Sequence, residues 1–152
     1  MKAPIKLMLL ALLCPVLIQA QQSTSTSSMI LTCPFEHGSG REPKEAFTWD
    51  PPDRKVIMIS HVDSIVRSCI KSKVVKVEAA EDNNYEIVIN TGDLYFWYYG
   101  VVKPKVVRGQ ELTAGQTIGI YKFGTELEFR MFRHEDMLDP RDLLECKIPK
   151  AD

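Results

Sequence analysis

The sequence predicts a single all-β domain, folded as a small β-sandwich or barrel-like structure. Two observations support this prediction. Short segments rich in β-branched and aromatic residues follow one another, and turn-forming Asn, Asp and Gly residues separate them. In addition, no segment of helix length shows amphipathic spacing. The chain has 152 residues, so one domain remains after the N-terminus is set aside, and we place it at residues 29–148.

The N-terminus has the pattern of a secretory signal peptide. A short basic segment precedes an apolar run from Leu7 to Ile18, which is too short to span a bilayer. Cleavage after Ala20 makes residues 1–20 the signal peptide. We therefore expect an exported chain, periplasmic or extracellular, with no transmembrane span in its mature form.

A lipoprotein anchor is the less favoured alternative for this N-terminus. It would require acylation of Cys14, but the preceding Leu13 is larger than the residue that normally stands before an acylated cysteine. Residues 21–28 contain only Gln, Ser and Thr, a composition that predicts a flexible spacer.

The strands of the predicted domain begin in its middle part. Residues 73–78 alternate in part, and residues 85–90 have the β-branched and aromatic content of a half-buried strand. Residues 94–99 form a strongly β-prone aromatic run. Turn chemistry lies between them at residues 82–84 and 90–93, because Asn, Asp and Gly tolerate left-handed backbone angles.

Further strands follow towards the C-terminus. Residues 109–119 form a hairpin-like run that carries Gly-Gln twice, and residues 112–121 predict a strand. Residues 126–133 alternate charged and apolar side chains, so one face should be buried and the other wet. A short helical turn should start at residues 139–144, with Pro140 at its first position, where the missing N–H costs least.

The cysteines indicate one disulfide. Without the signal peptide, Cys33, Cys69 and Cys146 remain, and an odd count in an oxidising compartment implies a disulfide plus a free thiol, or an intermolecular bond. Cys33 and Cys146 bracket the domain, so a bond between them would tie both ends, although the sequence leaves the pairing open.

The patterns of charged and aromatic residues indicate which classes of ligand the chain binds. The net charge is −1 and the basic residues are interspersed with acidic ones, which excludes a nucleic-acid footprint. Tyr95, Trp97 and Tyr99 share one face of a strand by alternation, and Phe96 and Tyr98 share the other. One face should pack in the core, and the other predicts a platform for sugar or peptide.

The order of segments resembles a known family. The region 54–144 is similar to the core domain of the lysostaphin-type zinc endopeptidases, a duplicated hybrid motif fold that cuts peptidoglycan cross-bridges. Residues 106–119 fit the family pattern Val-x-x-Gly-x-x-Val-x-x-Gly-Gln-x-Ile-Gly best. The other matching segments, in family order, are residues 64–68, 73–75, 85–89, 126–132 and 139–143.

The resemblance also implies where the zinc site would lie. The family binds zinc through His-x-x-x-Asp and the second His of His-x-His. These elements fall on Asp53 and Ile57 and on Glu126 and Glu128, and a further family histidine falls on Gly100. Ile57 cannot bind a metal and Gly100 cannot transfer a proton, so the resemblance implies no catalytic residue, no metal and no cofactor.

Other ionisable groups offer weaker sites. Asp53, Glu126 and Glu128 could gather a hard cation such as calcium, but acidic surface is the favoured interpretation, with the two glutamates facing each other's charge on one strand. His61 and His134 each precede an aspartate by two residues, and we expect them in exposed turns. His37 lies in a Gly-rich loop without a sequence neighbour as partner.

These observations predict an exported, non-catalytic, peptidase-like module that binds a cell-wall peptide of peptidoglycan or an envelope partner protein. Its binding surface would be the aromatic strand, and Trp49, in a segment without another assigned role, would contribute to it. The alternative is a cell-wall metallopeptidase with a rebuilt, non-standard metal site. A biotinyl- or lipoyl-like carrier is excluded, because no lysine stands at a hairpin tip in a Met-Lys-Met-like context.

Overall fold

The structure is a computed structural model that describes residues 29–41, 53–146 and 148. Within these residues there are eleven strands and no helix, which confirms the all-β prediction. Correspondingly, the described part of the chain contains no helix long and apolar enough to cross a membrane. The strands are β1 (Ser39–Arg41), β2 (Val56–Ile59), β3 (Ile65–Arg67), β4 (Ser72–Ala79), β5 (Tyr85–Thr91), β6 (Leu94–Val101), β7 (Lys103–Pro104), β8 (Glu111–Leu112), β9 (Thr117–Ile120), β10 (Leu127–Arg133) and β11 (Asp136–Leu138).

The strands form two antiparallel sheets. The large sheet has eight strands in the order β1-β2-β10-β6-β5-β4-β8, with β11 paired to β10. The small sheet has three strands in the order β3-β9-β7. Because β10 pairs with both β2 and β6, it brings the start of the domain beside the aromatic strand.

The core lies on one face of the large sheet. Leu127, Phe129 and Met131 of β10 are buried, and the residues between them are only partly buried. This is the alternation that the charged and apolar pattern predicts for a strand with one wet face. Phe96 and Tyr98 of β6 point into the same core cluster.

The small sheet contributes to this same core. Val66, Ile118 and Tyr121 belong to the cluster that contains the buried side chains of β6 and β10. Gly119 allows a close approach, because a Cβ atom there would lie 2.3 Å from Cγ1 of Val101. The two sheets therefore enclose one hydrophobic core.

The hairpin-like run is the main departure from the predicted elements. The strand predicted over residues 112–121 is two short strands, and these belong to different sheets: β8 pairs with β4, whereas β9 pairs with β3 and β7. Each Gly-Gln pair instead closes a turn. The side-chain oxygen of Gln110 accepts the backbone N–H of Val107 at 3.2 Å, and that of Gln116 accepts the N–H of Thr113 at 3.0 Å.

The two ends of the domain are joined. Cys33 and Cys146 form a disulfide, with their Cα atoms 5.5 Å apart. Leu31 donates its backbone N–H to the carbonyl of Leu143 at 2.8 Å and forms a bridge with Leu144. The predicted helical turn near Pro140 is a single hydrogen-bonded turn.

Candidate functional site

The outward face of β6 carries a row of aromatic side chains. The exposed fractions of Trp97 and Tyr99 are 36% and 37%, and Tyr95 is half-buried. Phe96 and Tyr98, which alternate with them, are fully buried. The strand is thus divided into a core face and an outward aromatic face, as its alternation predicts.

The neighbouring strand β10 completes this outward surface. Residues directly opposite in a sheet share a face, and β10 places Glu128 opposite Tyr99, Arg130 opposite Trp97 and Phe132 opposite Tyr95. The surface holds two adjoining depressions, which we call the outward groove. The first, about 330 Å³, is lined by Glu86, Trp97, Tyr99, Glu128 and Arg130. The second, about 310 Å³, is lined by Tyr95, Trp97, Phe132, His134 and Glu135.

Trp97 lines both depressions and is held from two sides. Its ring centroid lies 5.3 Å from that of Phe132, and the ammonium of Lys76 lies 5.8 Å from the indole centroid. Lys76 is anchored by Glu78 at 3.1 Å and by Glu86 at 3.3 Å. The hydrogen bond to Glu78, with that to Glu86, raises the pKa of Lys76, so it stays charged beside the indole.

The positions that the resemblance assigns to zinc ligands meet at one end of the outward groove. Ile57 of β2, Glu128 of β10 and Tyr99 of β6 lie side by side in cross-strand register, and Gly100 follows Tyr99. Ile57 is 5% exposed and presents only carbon atoms.

The carboxylates at this end are paired with basic side chains. The ammonium of Lys55 lies 3.3 Å from Oδ2 of Asp53 and 3.1 Å from Oε2 of Glu128. Glu128 also pairs with Arg130. A metal ion held by Asp53 and Glu128 would have to compete with the ammonium that already bridges them.

Glu126 has a separate partner, Arg41 of β1. The expectation that the two glutamates face each other's charge is therefore wrong, because each pairs with its own cations: Glu126 with Arg41, and Glu128 with Lys55 and Arg130. The backbone carbonyl of Glu126 also approaches Gly100, where a Cβ atom would lie 2.5 Å from that oxygen. Gly100 has φ +103°, so this position suits glycine on two grounds.

The two His-x-Asp elements do not form paired sites. His61 is exposed beside Gly124, whereas Asp63 is buried and contacts Ser60 and His37. His134 is exposed at the β10–β11 turn with φ +54°. Both histidines thus occupy the exposed positions that were expected.

Asp63 is the partner of His37, which the sequence did not indicate. Oδ2 of Asp63 accepts the backbone N–H of His37 at 3.0 Å and the hydroxyl of Ser60 at 2.7 Å. Burial opposes ionisation, but the hydrogen bonds from Ser60 and His37 hold the pKa of Asp63 below its usual value. The residues are 26 positions apart, so no local spacing could have revealed the contact.

Cys69 is the free cysteine of the described residues. Cys69 is free and fully buried, and its backbone N–H donates to the hydroxyl of Tyr98 at 2.8 Å. Burial raises the pKa of its thiol to about 12. This environment is the reverse of what activates a catalytic thiol.

Trp49, like Cys14 and the predicted signal peptide and spacer, lies outside the described residues, and its contribution stays a prediction.

Solved structures share this fold. The solution structure of lysostaphin matches with a TM-score of 0.51 and 22% identity over 59% of this chain and 41% of that chain. Csd3 from Helicobacter pylori matches with a TM-score of 0.64 and 16% identity over 82% of this chain and 36% of that chain. The SpoIIQ–SpoIIIAH pore-forming complex gives a TM-score of 0.62 and 14% identity over 78% of this chain and 92% of the matched chain.

These matches establish the fold of the lysostaphin-type peptidase domains, as the sequence resemblance implied. The chain spans less than half the length of the lysostaphin and Csd3 chains. No protein-family model and no curated protein matches the sequence.

Proposed function

We propose that this chain is an exported, non-catalytic module that uses the peptidase fold to bind a peptide, either a cell-wall peptide or a segment of an envelope protein, in the outward groove. One observation supports this most strongly: an exposed aromatic row lies beside the positions assigned to zinc ligands, and those positions hold Ile57, Gly100 and ion-paired carboxylates. The pattern of residues 1–20 supports export.

The chemistry of the outward groove suits a peptide. Trp97 and Tyr99 offer flat apolar surface, and Glu128 and Arg130 offer an acceptor and a donor beside it. Aromatic residues in such settings contribute most of the binding free energy at many interfaces. One matched chain belongs to a protein–protein complex, which supports a protein partner as the alternative to a cell-wall peptide.

The test compares three forms of the protein in binding to purified peptidoglycan and to envelope proteins. The double variant Trp97→Ala/Tyr99→Ala removes the aromatic row. Phe123→Ala removes an aromatic that is 56% exposed but does not line the outward groove, and it serves as the control. We expect the double variant to lose about a thousandfold in affinity, since two hot-spot residues that contribute about 2 kcal/mol each contribute about 4 kcal/mol together.

Equal binding by the wild type and the double variant to either target would overturn the assignment to this groove. Release of soluble peptides from peptidoglycan, lost on Asp53→Asn/Glu128→Gln substitution, would favour the alternative of a metallopeptidase with a rebuilt site. Elemental analysis of the purified wild type and of that double variant gives the metal content that either outcome requires.

A further inference from the structure

A second group of potential ligands lies away from the residues that line the outward groove. Glu36 and His37 come from the loop before β1, and Asp63 comes from the loop between β2 and β3. One ligand atom from each residue lies within 4.8 Å of the other two. Among the residues that the structure describes, no other three His, Cys, Asp or Glu side chains bring their ligand atoms this close together.

Asp63 is fixed by its surroundings. It is 8% exposed, and Oδ2 is held by Ser60 and by the backbone of His37. Ser60 is itself buried and accepts the backbone N–H of Asp63 at 2.9 Å. Oδ1 is therefore oriented towards the imidazole by hydrogen bonds that would support a metal ligand from behind.

The distance between His37 and Asp63 suits two ligands of one ion. Nδ1 of His37 lies 3.4 Å from Oδ1 of Asp63, beyond the usual range of an N–H···O hydrogen bond. Two ligands bound to a tetrahedral zinc ion at its usual bond lengths lie about 3.3 Å apart. The side chain of His37 is 65% exposed, which leaves room for water to complete the coordination.

Glu36 can supply the third ligand. Its side chain is 54% exposed and pairs with Arg67 of β3. An ion pair this exposed holds its partners weakly, so a divalent cation can displace it. One imidazole nitrogen with two carboxylates is a ligand set that zinc accepts.

We propose that Glu36, His37 and Asp63 form a binding site for a divalent transition ion, tested here as Zn²⁺, with water in the open position. The bound ion clamps the loop before β1 to the loop between β2 and β3. The site is independent of peptide binding in the outward groove.

Zinc binding by the full chain, first stripped with chelator, tests the proposal by titration calorimetry and by metal content after equilibrium dialysis. We expect one Zn²⁺ per chain and a loss of affinity of about a hundredfold or more in His37→Ala, since loss of even a supporting residue costs about tenfold to a hundredfold. Glu36→Gln should weaken binding by a smaller factor. Both side chains are exposed, and circular dichroism verifies that the variants fold.

The chain has three histidines, so His61→Ala and His134→Ala are matched controls and should bind as the wild type does. Zinc should also shift the ring resonances of His37 and leave those of the other two in place. Absence of binding, unchanged binding by His37→Ala, or loss in either control would overturn the site. Loss of the ion in Asp53→Asn/Glu128→Gln with retention in His37→Ala would place it in the outward groove and contradict the non-catalytic proposal too.

Discussion

Both faces of β6 and β10 carry aromatic side chains, but the side chains of the two faces have different roles. On the inward face, Phe129 packs against Phe96 at 6.2 Å and Tyr98 at 5.1 Å between ring centroids, and all three are fully buried. On the outward face, Trp97 packs against Phe132 at 5.3 Å, yet Trp97 remains 36% exposed. The ring distances are alike, so pairing of aromatics does not distinguish the faces.

The difference lies in what surrounds the rings. The inward rings are covered by the small sheet, and the hydroxyl of Tyr98 accepts a buried N–H from Cys69. The outward rings are bordered by charged side chains that pair with one another, such as Lys76 and Glu86. The inward face therefore stabilises the fold, and the outward face is available to a ligand. Substitutions should separate stability from binding along this division.

The largest expected contrast concerns the reactivity of a thiol behind the inward face. Because burial raises the pKa of Cys69 from 9.0 to about 12, its thiolate fraction at pH 8 should be about a thousandfold below that of an unfolded cysteine. In a Cys14→Ser background, Ellman's reagent should label Cys69 only after unfolding. Tyr99→Cys in the same background places a thiol on the outward face and should react in the native state. Rapid native labelling of Cys69 would show that the core opens readily.

The raised pKa of Cys69 also makes the free energy of unfolding depend on pH. The native state keeps the Cys69 proton where the unfolded state releases it, so this group should favour unfolding as pH rises from about 9 towards 12. Urea denaturation of the wild type and of Cys69→Ala across that range measures the contribution, which the variant lacks.

The next largest effect separates two phenylalanines of β10. Phe129→Ala removes a fully buried ring and should lower the free energy of unfolding by about 3–5 kcal/mol. Phe132→Ala, three residues along on the outward face, should cost about 1 kcal/mol, because that ring is only partly buried. Urea denaturation measures both. Similar costs would mean that the outward face is as important to the fold as the core.

The long strands could be predicted because their patterns are local. Residues 85–90, 94–99 and 126–133 lie almost wholly within β5, β6 and β10, and alternation gave the faces of the last two correctly. The strands β1, β2, β3 and β11 have only three or four residues, too few for a period to be detected. Residues 112–121 show the other limit: strand character was visible, but the choice of sheet depends on partners distant in the chain.

The residues of the site likewise differ in whether a local pattern could predict them. The aromatic row was predictable from alternation within one strand. The ion pair between Arg41 and Glu126 was not, because these residues are 85 positions apart and meet only through the pairing of β2 with its neighbours. His37 and Asp63 were missed for the same reason. Contacts between distant segments therefore escape prediction from local sequence patterns.

The smallest expected effect tests the boundary between the faces, at Gly100. Gly100→Ala should lower the free energy of unfolding by about 2–3 kcal/mol, since it adds a Cβ atom at φ +103°, against the Glu126 carbonyl. Gly92→Ala is the control: it also has positive φ, +59°, but nothing lies within 4 Å of its added Cβ, so it should cost about 1 kcal/mol. Urea denaturation compares the two. The difference between them measures the close approach together with the greater backbone strain at φ +103°, which lies outside the left-handed region that φ +59° occupies. Equal costs would mean that the Glu126 carbonyl moves aside and that the backbone at position 100 tolerates a side chain.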